Sequence, residues 1–288
     1  MDLPPDTYSA FEALLNYLKQ NCGVDLTGYQ RSSLMRRVHY RMKMLPIESY
    51  NSYIKYLDEC PQEVLHLRDT IEINFTGFFR NTLTWDYLAT NIIPQIIASK
   101  SSDEPIRAWS AGCASGEETY SLAILLAEAL GVEQFCSRVQ IFSTDVDAQA
   151  VNQAREASYD SSKITDIPDH FLKKYFEKAD DCYVFRQDLR RRILFNKHNL
   201  IQDAPMSKID LLACRNVLIY FNQETQVRVL VRFHFALNNN GFLLLGNTEL
   251  VPSEITSLYR IVNLEHHLFT KLPARLPTHI LVNALKRL

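Results

Sequence analysis

The run from Arg107 to Tyr120, Arg-Ala-Trp-Ser-Ala-Gly-Cys-Ala-Ser-Gly-Glu-Glu-Thr-Tyr, constrains the fold of this chain more than any other stretch. A short apolar strand runs into a loop of small residues and opens a helix. Gly112, Ala114, Ser115 and Gly116 carry almost no side chain, so a ligand can lie against the backbone. The helix that follows offers unpaired N–H groups at its start. Glu117 and Glu118 at that start would repel a pyrophosphate but suit a ligand bearing an ammonium group, which points to S-adenosylmethionine rather than NAD or ATP. The loop also lacks Gly-x-Gly-x-x-Gly and the Gly-Lys-Ser/Thr ending of a P-loop. Taken alone, such a turn also serves as a plain tight connection.

At 288 residues and 47% hydrophobic content, the chain can bury one substantial core and a second small unit. A formal charge of −2 argues against a general nucleic-acid binder, so any electropositive surface must be local. Cys22, Cys60, Cys113, Cys136, Cys182 and Cys214 are scattered without a Cys-x-x-Cys pair, which leads us to expect reduced thiols in a cytosolic protein and neither a zinc site nor a disulfide framework. The start, Met-Asp-Leu-Pro-Pro-Asp, has no basic region followed by an apolar one, and no apolar run is long enough to span a bilayer. Neither a secretory signal nor membrane insertion is expected.

From Ser9 to about Ile73 the pattern is helical. Leu34, Val38, Met42 and Leu45 recur at helical spacing, and Pro46 and Pro61 punctuate what reads as four short helices. After a linker at 74–84, the rhythm changes at Trp85 to alternating strands and helices, the mark of a doubly wound α/β domain reaching to about residue 272. Strands are expected at Ile106–Ser110, Val139–Thr144, Ile193–Lys197, Ile209–Cys214 and Phe242–Gly246, with a last one over Val262–Lys271. A helix from Asn222 to Leu237 has a capping asparagine and a closing Gly241. The stretch from about Tyr159 to Arg192 reads as an insertion with a hairpin around Gln187 and Asp188. In the tail, 273–288, Thr278 to Leu288 has the pattern of an amphipathic helix.

Asp145 ends the second α/β strand, where an acid can accept hydrogen bonds from both ribose hydroxyls of an adenosine; the rival task, capping the next helix, is open to Asp147 as well. Asn74-Phe-Thr-Gly-Phe-Phe-Arg80 is too apolar for a solvated linker and suits a strip folded over a cleft at a domain boundary, though Phe78 and Phe79 also suit interdomain packing. Arg215 and Asn216 interrupt the apolar run Cys214–Phe221 and, with Tyr220, are placed to face the crevice of Gly112 and Asp145; a core role for Tyr220 is the alternative. No convergent ligands accompany His39, His198, His234 or His266-His267, so no metal site is expected.

These motifs together resemble the CheR-type chemotaxis receptor glutamate O-methyltransferases. The likeness runs from about Ser9 to Leu272 and rests on Asn74–Arg80, Trp109–Glu118, Asp145 and Cys214–Phe221 in order. It departs from the family's pattern where Asn81 replaces a frequent acid and Thr119 a frequent proline. The resemblance implies S-adenosylmethionine as cofactor and S-adenosylhomocysteine as product, in a Rossmann-like domain preceded by an all-α receptor-recognition domain at 1–73. It implies that Asn74, Thr76, Arg80, Glu118, Asp145, Asn199, Leu200, Arg215 and Asn216 surround the cofactor, with Arg80 and Tyr220 near the reacting methyl; Gly112 joins the cofactor-binding set from the small-residue loop itself.

The helix from Arg31 to Lys43 is basic without an acid, and its Arg36, Arg37, Arg41 and Lys43 resemble the family's receptor-binding surface; a solvated basic face is the plainer reading. The insertion matches the family's small β-subdomain, but Glu177–Tyr183 is short and has no glycine, so weak or absent binding of a receptor-tail peptide is expected. The partner implied is the cytoplasmic helical region of methyl-accepting receptors, to which a cytoplasmic enzyme would be recruited. The alternatives are a methyltransferase for another carboxylate or small molecule, and a cofactor-binding module without catalysis.

Overall fold

The computed structural model describes residues 5–72 and 74–273. The chain divides into two compact units, one of residues 1–73 together with Tyr220–Thr225, the other of Asn74–Ile219 and 226–288.

The first unit holds four helices: α1 (Pro5–Asn21), α2 (Arg31–Met44), α3 (Tyr50–Glu59) and α4 (Glu63–Ile71). Their apolar stripes meet in a core of Phe11, Leu14, Leu18, Val38 and Tyr53, all fully buried. Ser49 caps α3 by accepting the Ser52 N–H at 3.1 Å, and Pro46 and Pro61 fall in the connections as expected. On α2, Arg37 and Arg41 lie on the same side as Leu34, Val38 and Met42, because residues three and four apart share a face. Arg37 is buried and donates to the Ile71 carbonyl at 2.5 Å. Arg41 makes a two-point pair with Glu63, 2.7 Å at each contact, and Tyr53 Oη donates to the same carboxylate at 2.8 Å. Arg31 is paired with Glu12 at 2.6 Å. The basic run is therefore not one solvated face: only Arg36 and Lys43 of the four candidates are exposed, beside Tyr40 and Met44.

The second unit begins with α5 (Thr82–Tyr87), a π-turn at Leu88–Ile92 and α6 (Ile93–Ala98). The alternation follows: β1 (Ile106–Ala111), α7 (Glu117–Leu130), α8 (Val132–Arg138), β2 (Val139–Asp145) and α9 (Ala148–Glu156). The insertion contributes β3 (Ser158–Asp160), α10 (Asp169–Tyr175), β4 (Phe176–Ala179), β5 (Cys182–Phe185) and α11 (Gln187–Arg190). Then come β6 (Ile193–Lys197), β7 (Ile209–Cys214), α12 (Gln223–Ala236), β8 (Leu237–Leu245), β9 (Tyr259–Asn263) and β10 (Leu268–Lys271).

Seven strands form one sheet in the order β6-β2-β1-β7-β8-β10-β9, and β3-β5-β4 form a separate small sheet. β6, β2, β1, β7 and β8 run parallel, while β10 is antiparallel to both its neighbours. Helices cover both faces: α7 and α9 pack on β2, and Trp109 of β1 meets Phe233 of α12 edge-on at 5.4 Å. Residues facing α7 therefore alternate with residues facing α12 along β1, as the pleat requires. From β1 the chain winds outward to β2 and β6, then returns to β7 on the other side. The carboxyl ends of β1 and β7 thus flank the switch point where open α/β sheets bind ligands.

Four expectations need correction. The hairpin of the insertion turns at Asp180 and Asp181, and Gln187–Arg190 is helical, because the apolar β5 strand ends at Phe185. Gly241 does not close α12; the helix stops at Ala236 and the chain passes directly into β8, where Gly241 sits in an irregular stretch of its pairing with β7. A Cβ at Gly241 would lie 2.9 Å from the Ile209 carbonyl oxygen, so glycine is required by close backbone approach. The last segment is two antiparallel strands joined by a turn at 264–267, in place of one. Phe78 and Phe79 do not line an open cleft: they are buried in the second unit, Phe78 against Tyr159 and Phe176, Phe79 against Trp85 and Phe171. The expected tail helix lies outside the described residues.

Candidate cofactor and active site

The loop after β1 is stitched to the end of β2. Gly112 and Cys113 N–H groups both donate to the Thr144 carbonyl, at 2.7 and 3.0 Å, and the Ala114 N–H donates to Asp145 Oδ2 at 2.8 Å. Gly112 has φ +82° and Gly116 φ +94°, a region where a side chain is strained. The room above Gly112 is not open to a ligand in the way its small size suggests: a Cβ there would lie 2.2 Å from Cγ2 of Val217, whose side chain rests on the glycine.

Both acids opening α7 are buried. Glu117 accepts the Ser115 hydroxyl at 2.7 Å, with Lys163 Nζ 3.8 Å from its other oxygen. Glu118 accepts the Ser110 hydroxyl at 2.9 Å and faces Arg215 Nη1 at 3.5 Å. Burial pushes the Glu118 carboxyl above its usual range, and the nearby Arg215 charge and the Ser110 hydrogen bond only partly offset this. A carboxylate in that state gains from a cationic partner.

Asp145 is raised by burial as well, partly offset by N–H groups of Asp147 and Ala114. Its two oxygens take one backbone N–H each, from Asp147 at 3.0 Å and Ala114 at 2.8 Å, and each oxygen has a second lone-pair site. Helix capping belongs to Asp147, which accepts from Gln149 and Ala150 and also from the Asn74 side chain. Asp145 is thereby released from structural duty at the helix. The His198 N–H bonds to the Asp145 carbonyl at 2.8 Å, bringing the turn of Asn199 and Leu200 alongside.

Arg215 ties in the strip from Asn74. Its Nη2 donates at 2.8 Å to both the Arg80 carbonyl and Asn81 Oδ1, and its guanidinium lies over Trp85. Arg80 itself donates to the Phe75 carbonyl at 3.3 Å and lies over the ring of Phe75, which is 76% exposed. Thr76 is half-buried within the same strip, and Asn216 follows Arg215 with φ +60°. Tyr220 was expected beside Gly112 and Asp145; its own contacts lie in the helical unit, with Arg37 stacked 4.9 Å above the ring and the Gln30 N–H on its carbonyl.

Two residues escape the sequence reading. Arg232 is buried on α12 and donates to the carbonyls of Leu200, Ile201 and Asp203, fixing the turn beside Asp145. Glu249 is buried near the carboxyl end of β8. Arg232 interrupts an apolar stretch of α12 and Glu249 follows an apolar strand, and a charge in such a place is a signal. No group of His, Cys, Asp and Glu suited to a metal occurs among the described residues.

A doubly wound sheet with a small-residue loop after its first strand, an acid at the end of the second, and a buried acid able to take an ammonium define a methyltransferase that uses S-adenosylmethionine. The residues present fit that cofactor: Asp145 and Glu118 are carboxylates placed at the end of β2 and the start of α7, each with lone-pair sites beyond the donors it already has, and ribose hydroxyls and an ammonium group would favour the ionised forms that burial disfavours. Comparison with known proteins makes the assignment specific. Residues 74–268 match the CheR methyltransferase S-adenosylmethionine-binding domain, and residues 9–71 match the CheR methyltransferase all-alpha domain. The chain belongs to the CheR methyltransferase family. It is 31% identical over 252 residues to a chemotaxis protein methyltransferase of Borreliella burgdorferi, covering 85% of this chain and 89% of that one. It is 29% identical over 245 residues to one of Listeria innocua, covering 85% and 91%. A 104.1 kDa protein of Rhodobacter capsulatus is 31% identical over 263 residues, 91% of this chain but only 28% of that protein.

Proposed function

We infer that this chain methylates glutamate side chains of chemotaxis receptors, forming glutamate methyl esters and S-adenosylhomocysteine. Membership of the CheR family across both of its domains carries the reading. When bound, S-adenosylmethionine supplies a methyl group on a positively charged sulfur. The glutamate nucleophile is already ionised near neutral pH, so the chain need supply no general base. Its tasks are to hold, orient and exclude water.

Asp145 holds the ribose hydroxyls and Glu118 the ammonium group. Asn74, Thr76, Gly112, Asn199, Leu200, Arg215 and Asn216 complete the surround, Gly112 through its backbone. Arg80 orients the incoming carboxylate through its planar fork; pairing too tightly would blunt the nucleophile, so its role is placement and charge balance.

The receptor surface is the exposed part of α2, where Arg36 and Lys43 flank Tyr40 and Met44 and suit an acidic helical partner. Arg37 and Arg41 support it from inside, given their bonds to Ile71 and Glu63. The two-residue turn between β4 and β5 supports weak or absent capture of a receptor-tail peptide. The enzyme works in the cytoplasm, recruited to receptors at the membrane; no described helix is long and apolar enough to cross a membrane.

The test is incubation with methyl-labelled S-adenosylmethionine and membranes carrying candidate receptors. Label released by mild base from the receptor band is expected, with Arg80→Ala lowering the rate by about a hundredfold. Label on small molecules alone would defeat the substrate assignment, and full transfer by Arg80→Ala would remove Arg80 from the active site.

A further inference from the structure

We propose that Glu249 is a positioning residue for the cofactor site: one buried carboxylate that clamps the turn carrying Arg215 and Asn216. The inference rests on the functional reading above. Glu249 is 3% exposed, and its side chain accepts four backbone N–H groups. Oε2 takes those of Asn216 at 2.8 Å and Gly246 at 2.6 Å, while Oε1 takes those of Val217 at 2.8 Å and Leu218 at 2.7 Å.

The chemistry behind this is local. β7 and β8 end side by side, Cys214 opposite Leu245, and both chains leave the ladder there with N–H groups unpaired. With Asn216 in the left-handed region, successive N–H groups after β7 converge to form a concavity that favours an anion. Glu249 fills it from within the protein. The acid is itself held, since its N–H bonds to the Gly246 carbonyl and its carbonyl accepts from the His267 ring. Gly246 has no substitute: a Cβ would lie 2.7 Å from both the Asn216 nitrogen and Glu249 Oε2.

The clamp reaches the cofactor side by two routes. Arg215 extends from the clamped turn to the Arg80 carbonyl, Asn81 and Glu118. Val217 extends from it onto Gly112, at the start of the small-residue loop. If the turn shifts, the strip holding Arg80 and the partner of Glu118 shift with it. Glu249 never needs to touch substrate to do this.

Glu249→Gln isolates the effect. The amide nearly preserves shape, but its NH2 faces N–H donors, leaving two of them buried without an acceptor. Asp210→Asn is the control: Asp210 accepts from the Arg107 N–H, Asn238 and Lys100 at the opposite end of β7, so it tests loss of sheet stability away from the turn. Calorimetry with S-adenosylhomocysteine, hydrogen exchange at amides 216–218 and 246, and steady-state kinetics are compared on both variants and the unmutated chain. Glu249→Gln is expected to exchange faster at those amides while β1 and α7 stay protected, to bind S-adenosylhomocysteine about tenfold more weakly, and to raise KM for S-adenosylmethionine more than it lowers kcat. Asp210→Asn is expected to lower Tm with affinity unchanged. Unaltered affinity in Glu249→Gln, or equal losses in both variants, would overturn the clamp. No binding by the unmutated chain would instead overturn the functional reading, and the clamp's purpose with it.

Discussion

Glu118 carries the sharpest residue-scale prediction because it is charged at a cost. Burial raises its pKa, and an ammonium group beside it would favour the ionised form. Affinity for S-adenosylhomocysteine should therefore rise with pH as Glu118 loses its proton in the free protein. Glu118→Gln should weaken binding about tenfold and flatten that part of the pH profile, measured by calorimetry at several pH values. A variant with an unchanged profile would place the ammonium group elsewhere. Glu118 and Asp145 are legible in the sequence because their meaning comes from position at the end of a strand or the start of a helix. The cover over Gly112 is not, since Val217 lies far along the chain and only the fold brings it there. The role of Glu249 is hidden for the same reason: its partners are backbone N–H groups, which every residue has.

At the scale of elements, α2 illustrates what charge counting misses. Arg36, Arg37, Arg41 and Lys43 read as one basic face, yet the helical repeat turns Arg37 and Arg41 toward Leu34, Val38 and Met42. Reversing the exposed charges with Arg36→Glu and Lys43→Glu should slow receptor methylation about tenfold while leaving cofactor affinity and Tm intact. Glu63→Gln should behave oppositely, costing about 2 kcal/mol of stability through the lost Arg41 pair. Burial works against the Glu63 carboxylate, but the hydrogen bonds from Arg41 and Tyr53 prevail and hold its pKa below the usual value. Its contribution is therefore complete above the unfolded carboxyl's pKa, about 4.3, and fades as pH falls through the lower folded value. Denaturant titrations between neutral pH and pH 3 should show the Glu63→Gln deficit shrinking on the acid side. Strand β7 was readable to the residue because Lys208 and Arg215 bound its largely apolar run, and the start of β6 because its apolar Ile-Leu-Phe follows Arg190–Arg192. The turn between β9 and β10 was not, for Leu264-Glu-His-His267 contains no glycine or proline to announce it.

For the whole molecule, the alternation of strands and helices after Trp85 and the purely helical pattern before it gave the architecture, because each period of apolar residues matches one kind of element. The sheet order placing β1 and β7 at the switch point gathers residues from Ser110 to Glu249 near the carboxyl ends of the parallel strands. That convergence makes the account depend on a single location for the cofactor. The direct measurement is a crystal structure of the chain with S-adenosylhomocysteine. The ribose is predicted within hydrogen-bond distance of Asp145 and the ammonium group beside Glu118, at the carboxyl ends of β1 and β2. A ligand bound elsewhere, with Asp145 and Glu118 uncontacted, would contradict the account.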